Sequence, residues 1–219
     1  ARAYRLPPHI RPVSYHIDLT TDPGRSDFDG AVEMVLAVQQ ATSTITLHAR
    51  NLTISEAVVL VPGGGELRPQ VDTQPERQTA TLTLPTPLAP GTVTARLRFA
   101  GQLSPSMHGL YLGSDGVHRA ICTQCEATDA RAIFPCFDEP EFKAKLQWTL
   151  RTGPGVIALA NGPLVQKEGG TRQQVFHFAP TLPAPHRRAI GALGMGIGTL
   201  GKVWLRFPGV FWDDVDWIE

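Results

Sequence analysis

Apolar and polar residues alternate with a period of two along most of this chain, and glycine or proline interrupts the alternation at short intervals. A β-strand turns successive side chains to opposite faces, so alternation of this kind builds half-buried strands. A helix needs apolar residues three and four apart. Residues 15–19, 31–38, 43–48, 57–61, 79–84 and 93–99 follow the first pattern, and 146–150, 156–160 and 174–178 continue it. Pro62-Gly-Gly-Gly65 and Pro85-Thr-Pro-Leu-Ala-Pro-Gly91 read as turns between strands. No segment before about residue 185 carries a helical apolar stripe. The expectation is an all-β chain, a large antiparallel β-sandwich of roughly a dozen strands.

Charge excludes some partners. The chain has 20 Lys+Arg against 20 Asp+Glu and no dense basic block, so neither nucleic acid nor an anionic membrane is an expected partner. No apolar run is long enough to span a bilayer, and residues 1–10 lack the hydrophobic core of a signal peptide. Three cysteines, an odd number, argue against a disulfide-built secreted domain and leave the sequon Asn51-Leu-Thr53 little weight. A cytoplasmic location is the expectation.

The most specific stretch is Cys122-Thr-Gln-Cys-Glu-Ala-Thr-Asp-Ala-Arg-Ala-Ile-Phe-Pro-Cys-Phe-Asp-Glu-Pro-Glu-Phe-Lys-Ala-Lys145. Around it, in order, stand Arg5-Leu-Pro-Pro-His-Ile-Arg-Pro-Val-Ser-Tyr-His-Ile-Asp-Leu19, Phe28-Asp-Gly-Ala-Val32, Ile45-Thr-Leu-His-Ala49, Met107-His-Gly-Leu-Tyr111 and Ala158-Leu-Ala-Asn-Gly162. Together these resemble the N-terminal domain of the aminopeptidase N-type zinc metallopeptidases over about residues 5–181. The resemblance implies a saddle-like β-domain that closes one side of an active site. By position it implies that Gln124 lines the pocket for the first side chain of a peptide. It also implies that Glu126 binds the peptide's free α-amino group, a pairing of carboxylate with ammonium through charge-assisted hydrogen bonds. Members of that family bind zinc through a His-Glu-x-x-His helix and a later Glu. None of His9, His16, His48, His108, His118, His177 and His186 has that spacing, so no zinc ligand is expected here.

Two further groupings invite chemistry. Asp138-Glu139 suggests paired carboxylates, but adjacent residues point apart and the resemblance makes this a structural turn. Cys122-x-x-Cys125 with Cys136 suggests a metal or redox site. It has no evident fourth ligand, and structural thiols are the expectation.

After about residue 181 the family pattern ends. Residues 182–219 are similar to a segment of flavin-containing amine oxidases in which a short helix leads into a strand, here 202–207. They form a divergent appendage. Gly196-Ile-Gly-Thr-Leu-Gly201 fits a dinucleotide-binding spacing but has strand and helix in the wrong order, so no nucleotide cofactor is expected. The division is therefore 1–181 and 182–219. The function expected is that of a stand-alone domain without hydrolytic chemistry, acting in binding or assembly. The alternatives are completion of a separate zinc aminopeptidase chain in trans, or a remnant of a rearranged gene. Expected partners are a peptide N-terminus, a separate catalytic domain, or a second copy in a homodimer. The dimer would use the apolar tail strand or an open sheet edge.

Overall fold

The computed structural model describes residues 5–180 and the backbone of residues 204–206. The expected tail helix, the Gly196–Gly201 glycines and the aromatic and acidic end lie outside the described residues. Within them the chain is all-β, and its strands form three sheets.

The largest sheet has eight strands. Its centre is an antiparallel ladder of β1 (Ile10–Thr20), β2 (Asp27–Val38), β8 (Gly91–Gln102) and β4 (Leu52–Val61). β5 (Gly65–Leu67) lies beyond β4. On the other side come β11 (Lys145–Thr152), β14 (Gln174–Phe178) and β13 (Leu164–Gly169). Alternation sets which face is buried: Phe28, Val32, Met34, Leu36 and Val38 of β2 point inward, as do Val93, Ala95, Leu97 and Phe99 of β8. A three-stranded sheet of β3 (Thr42–His48), β7 (Thr79–Leu88) and β6 (Gln70–Gln74) adds Ile45, Leu47, Leu82 and Leu84 to the same core. The third sheet orders β12 (Ile157–Leu159), β15 (Trp204–Arg206), β10 (Arg119–Gln124) and β9 (Gly109–Ser114).

The outer face of the large sheet is polar and internally neutralised. Arg96 pairs with Glu33, Arg98 with Glu56, Arg151 with Asp18, and Arg68 with both Glu56 and Glu66.

The structure departs from the sequence reading in three places. The sandwich is not wholly antiparallel, because β1 and β11 run parallel, with Ser14 beside Lys145 and Thr20 beside Arg151. Alternation fixes which face is buried but is silent on the direction of the neighbouring strand. The proline-rich segment after Leu84 is no turn, since β7 continues to Leu88. Pro85 and Pro87 fall where the β3–β7 register jumps from Thr44–Thr83 to Thr42–Leu88, so their missing N–H groups interrupt no ladder bond there. Finally, β5, β6, β9, β10 and β13 were not expected. Every residue of β6 and β13 is exposed, so neither has a buried face to produce alternation.

Two glycines explain motif positions. A side chain on Gly30 would meet the Asp18 carbonyl oxygen at 2.5 Å and the Phe99 ring at 2.9 Å. One on Gly162 would overlap the Ala179 carbonyl oxygen. Gly30→Ala is therefore expected to lower the unfolding free energy by about 1–3 kcal/mol, the usual cost of overpacking. Chemical denaturation against the parent chain measures this, and unchanged stability would show that β1 and β2 separate without strain at this point.

Candidate functional site

The segment from Cys125 to Phe142 forms a belt held to the sheets on both sides by hydrogen bonds from its backbone. His48 and Cys136 exchange N–H···O bonds of 2.8 and 3.0 Å, which tie the belt to β3. The Phe137 N–H donates to the Tyr15 hydroxyl at 3.1 Å, which ties it to β1. Phe134 meets Tyr15 and Trp148 edge-on, with centroids 5.8 and 5.7 Å apart, and so packs against side chains of both β1 and β11. Such aromatic contacts add about 0.5–1.5 kcal/mol each beyond their burial.

One buried ion pair organises the turn. Arg131 Nε donates to Asp138 Oδ2 at 2.9 Å, its Nη2 to the Asp138 carbonyl at 2.9 Å, and its backbone N–H to Oδ2 at 3.2 Å. Both side chains are buried. Glu139 accepts from the Leu6 N–H at 2.6 Å. Asp138 and Glu139 thus hold different segments and do not act as paired acid and base. Burial pushes the Asp138 carboxyl up, against the pull of Arg131.

Gln124 is the last residue of β10, and Glu126 lies in the turn that follows. Ile121, Thr123 and Cys125 point into the core, so Ala120, Cys122 and Gln124 share the opposite, partly open face. Gln124 sits across from Gly109, whose φ of 68° is the left-handed conformation that glycine adopts without strain. Glu126 is exposed, and the peptide bond after it is cis. Its carboxylate has no hydrogen-bond or ion-pair partner among the described residues. Asp129, three residues on, is a contrast: it is taken by the Arg50 guanidinium and by His108 Nδ1 at 3.2 Å. The structure therefore places both sequence-predicted residues at one end of β10, one on its open face and one in solvent.

Arg50, His108 and Asp129 frame this turn, and sequence reading did not single them out for it. Arg50 and His108 come from segments far from Asp129 in the chain, and Asp129 alone stands in the signature. Tyr111 and Cys122 stand opposite one another in the register of β9 and β10.

The three cysteines are free thiols. Burial pushes Cys125 up to about 12, with the Asp138 and Asp129 carboxylates adding to the effect, and pushes Cys136 well above its ordinary value. A metal needs thiolates, which this environment opposes. Among the described residues no three His, Cys, Asp or Glu side chains are grouped to hold an ion. No helix among them is long and apolar enough to cross a membrane.

The family profile described as the Peptidase M1 N-terminal domain matches residues 11–186. Endoplasmic reticulum aminopeptidase 1 of Homo sapiens is 38% identical over 175 residues, which are 74% of this chain and 18% of that protein. Puromycin-sensitive aminopeptidase of Caenorhabditis elegans is 31% identical over 188 residues, 81% of this chain and 20% of its own length. Aminopeptidase N of Acetobacter pasteurianus is 30% identical over 185 residues, 82% and 51%. The chain spans about a fifth of the first two relatives.

The belt also carries a pH dependence. His48 Nδ1 accepts from the Asp138 N–H at 3.2 Å, and burial, followed by the nearby Arg131 charge, pushes its pKa down to about 4 from an ordinary 6.5. The folded state thus holds His48 neutral where the unfolded chain would protonate it. Its contribution is complete above pH 6.5 and is lost as pH falls toward 4, up to about 3 kcal/mol at 1.36 kcal/mol per pKa unit. Asp138, with its raised pKa, acts in the opposite sense. In His48→Asn the amide oxygen keeps an acceptor near the Nδ1 position but cannot titrate. Denaturation at pH 7 and pH 4.5 is expected to show the parent losing about 2–3 kcal/mol more than the variant. Equal losses would mean that His48 is protonated in the fold.

Proposed function

The chain belongs to the M1 peptidase family through its N-terminal domain, and from this premise we propose that it anchors the free amino terminus of a peptide without itself hydrolysing it. One observation carries the reading. Glu126 is an exposed carboxylate with no cation among the described residues, fixed at the end of β10, while its neighbour Asp129 is already neutralised. A carboxylate in that state accepts an ammonium group, and Gln124 on the open face of β10 stands where the first side chain would lie. The resemblance assigns these two positions the same roles. No His-Glu-x-x-His spacing occurs in the 219 residues, so hydrolysis requires zinc ligands from elsewhere, in cis or in trans.

The assembly part of the proposal rests on exposed apolar side chains at two neighbouring sheet edges. Ile157 and Leu159 on β12, with Leu164 and Val165 on β13, are 38–63% exposed. A peptidase catalytic unit is the occupant we assign to this surface, the relatives being far longer than this chain. The free thiols suit a reducing compartment, and we place the domain in the cytoplasm.

A single exposed ion pair contributes about 0–1 kcal/mol, whereas millimolar binding needs roughly 4 kcal/mol, so affinity is expected to be millimolar or weaker. Titration of isotope-labelled protein with a short free-amine peptide should shift backbone resonances around residues 124–128. The N-acetylated peptide, or the Glu126→Gln variant, should leave them in place. Equal shifts with both peptides would remove Glu126 from the role.

A second expected outcome is that the chain supplied with zinc does not turn over aminoacyl chromogenic substrates. Chelator-sensitive turnover with stoichiometric bound zinc would overturn the non-hydrolytic reading.

A further inference from the structure

The third sheet holds a strand that the family profile does not cover. β12, β10 and β9 all lie within residues 11–186, yet β15, at residues 204–206, runs between β12 and β10. It is antiparallel to both. Trp204 is the register partner of Cys122 on one side and of Leu159 on the other, and Leu205 and Arg206 stand opposite Ala158 and Ile157. Among the described residues β12 has no other ladder neighbour, and β10 has β9 on its far side only.

A strand between two others directs every backbone N–H and C=O to one neighbour or the other. Removing it opens two facing edges at once. The gap between β10 and β12 is therefore a slot one strand wide, with unsatisfied groups on both walls and apolar residues on β12. What fills it must be extended and antiparallel to both walls. It must also pair with β10 at Cys122, two residues before Gln124.

We propose that residues 204–206 act as a built-in complementing strand: the segment beyond the family-matched region inserts into the slot between β10 and β12 of its own chain and completes the sheet in which β10 ends at Gln124. The slot is thus a strand-acceptor site, filled in cis. At three residues the insert makes few ladder bonds, so a longer strand of the same polarity can exchange with it. The inference stands on backbone register and does not require that Glu126 bind a peptide, so peptide titration and the experiments below fail independently.

Amide hydrogen exchange on the unaltered chain gives the first test. Filling of the slot should slow exchange of the inward-directed amides of residues 157–159 by about tenfold or more relative to an unstructured chain. Unprotected amides there, with β2 and β8 protected, would overturn the proposal. The second test identifies the insert. Directly opposed antiparallel residues lie about 4.5–5.5 Å apart between Cα atoms, within the range a disulfide spans. Trp204→Cys should therefore link to the native Cys122 under mild oxidation, and mass spectrometry should find that bond within a single chain as the dominant product. A bond joining two chains, or none in a variant that keeps β2–β8 protection, would overturn filling in cis. Should that variant lose the protection, the register partners Ile157→Cys and Arg206→Cys probe the same placement with the same readings.

Discussion

The buried guanidinium of Arg131 is the contact on which the rest of the belt depends. It binds the side chain and the carbonyl of Asp138 and reaches Gln78 Oε1 at 3.4 Å, while its own carbonyl accepts from the Arg50 N–H at 2.8 Å. Burying two charges costs several kcal/mol unless hydrogen bonds surround them, and here the polar groups of the pair are met from three segments of chain. With Arg131 held inside and Arg50 committed to Asp129, the turn presents Glu126 without a local cation. The electrostatic character of the exposed tip is thus set by what the interior withholds from it.

The outer face of the large sheet follows a different rule. Its Arg–Glu pairs are substantially exposed, and each contributes little to stability. Their effect is local neutrality. Opposite charges opposed across the strands keep the face hydrated without building a field that would draw nucleic acid or an anionic surface, in line with the balanced charge of the whole chain.

Much of the fold was legible in the sequence because burial writes period two into a strand. Residues 31–38 and 93–99, buried on one face only, stand inside β2 and β8 as expected. Strands with no buried face leave no such trace, hence the silence of β6 and β13. The parallel β1–β11 seam is equally invisible, since strand direction depends on how the chain is routed. At the candidate site, Gln124 and Glu126 came from resemblance, and the structure adds the reason they sit together: β10 ends between them. His48 read as an ordinary strand residue. Only the tertiary fold brings it against the Asp138 backbone, 90 residues away in sequence.

The parallel seam also orders events in time. Residues 14–20 of β1 acquire their second neighbour from residues 145–151, so one side of β1 waits until that later strand exists. The β1–β2 hairpin and the β2–β8–β4 ladder can form from local or intermediate contacts, but Trp148 and Phe134 close over Tyr15 only afterwards. Contacts so distant in sequence slow folding and leave an unpaired edge exposed meanwhile. During synthesis, β1 therefore emerges well before the strand that seals its second side.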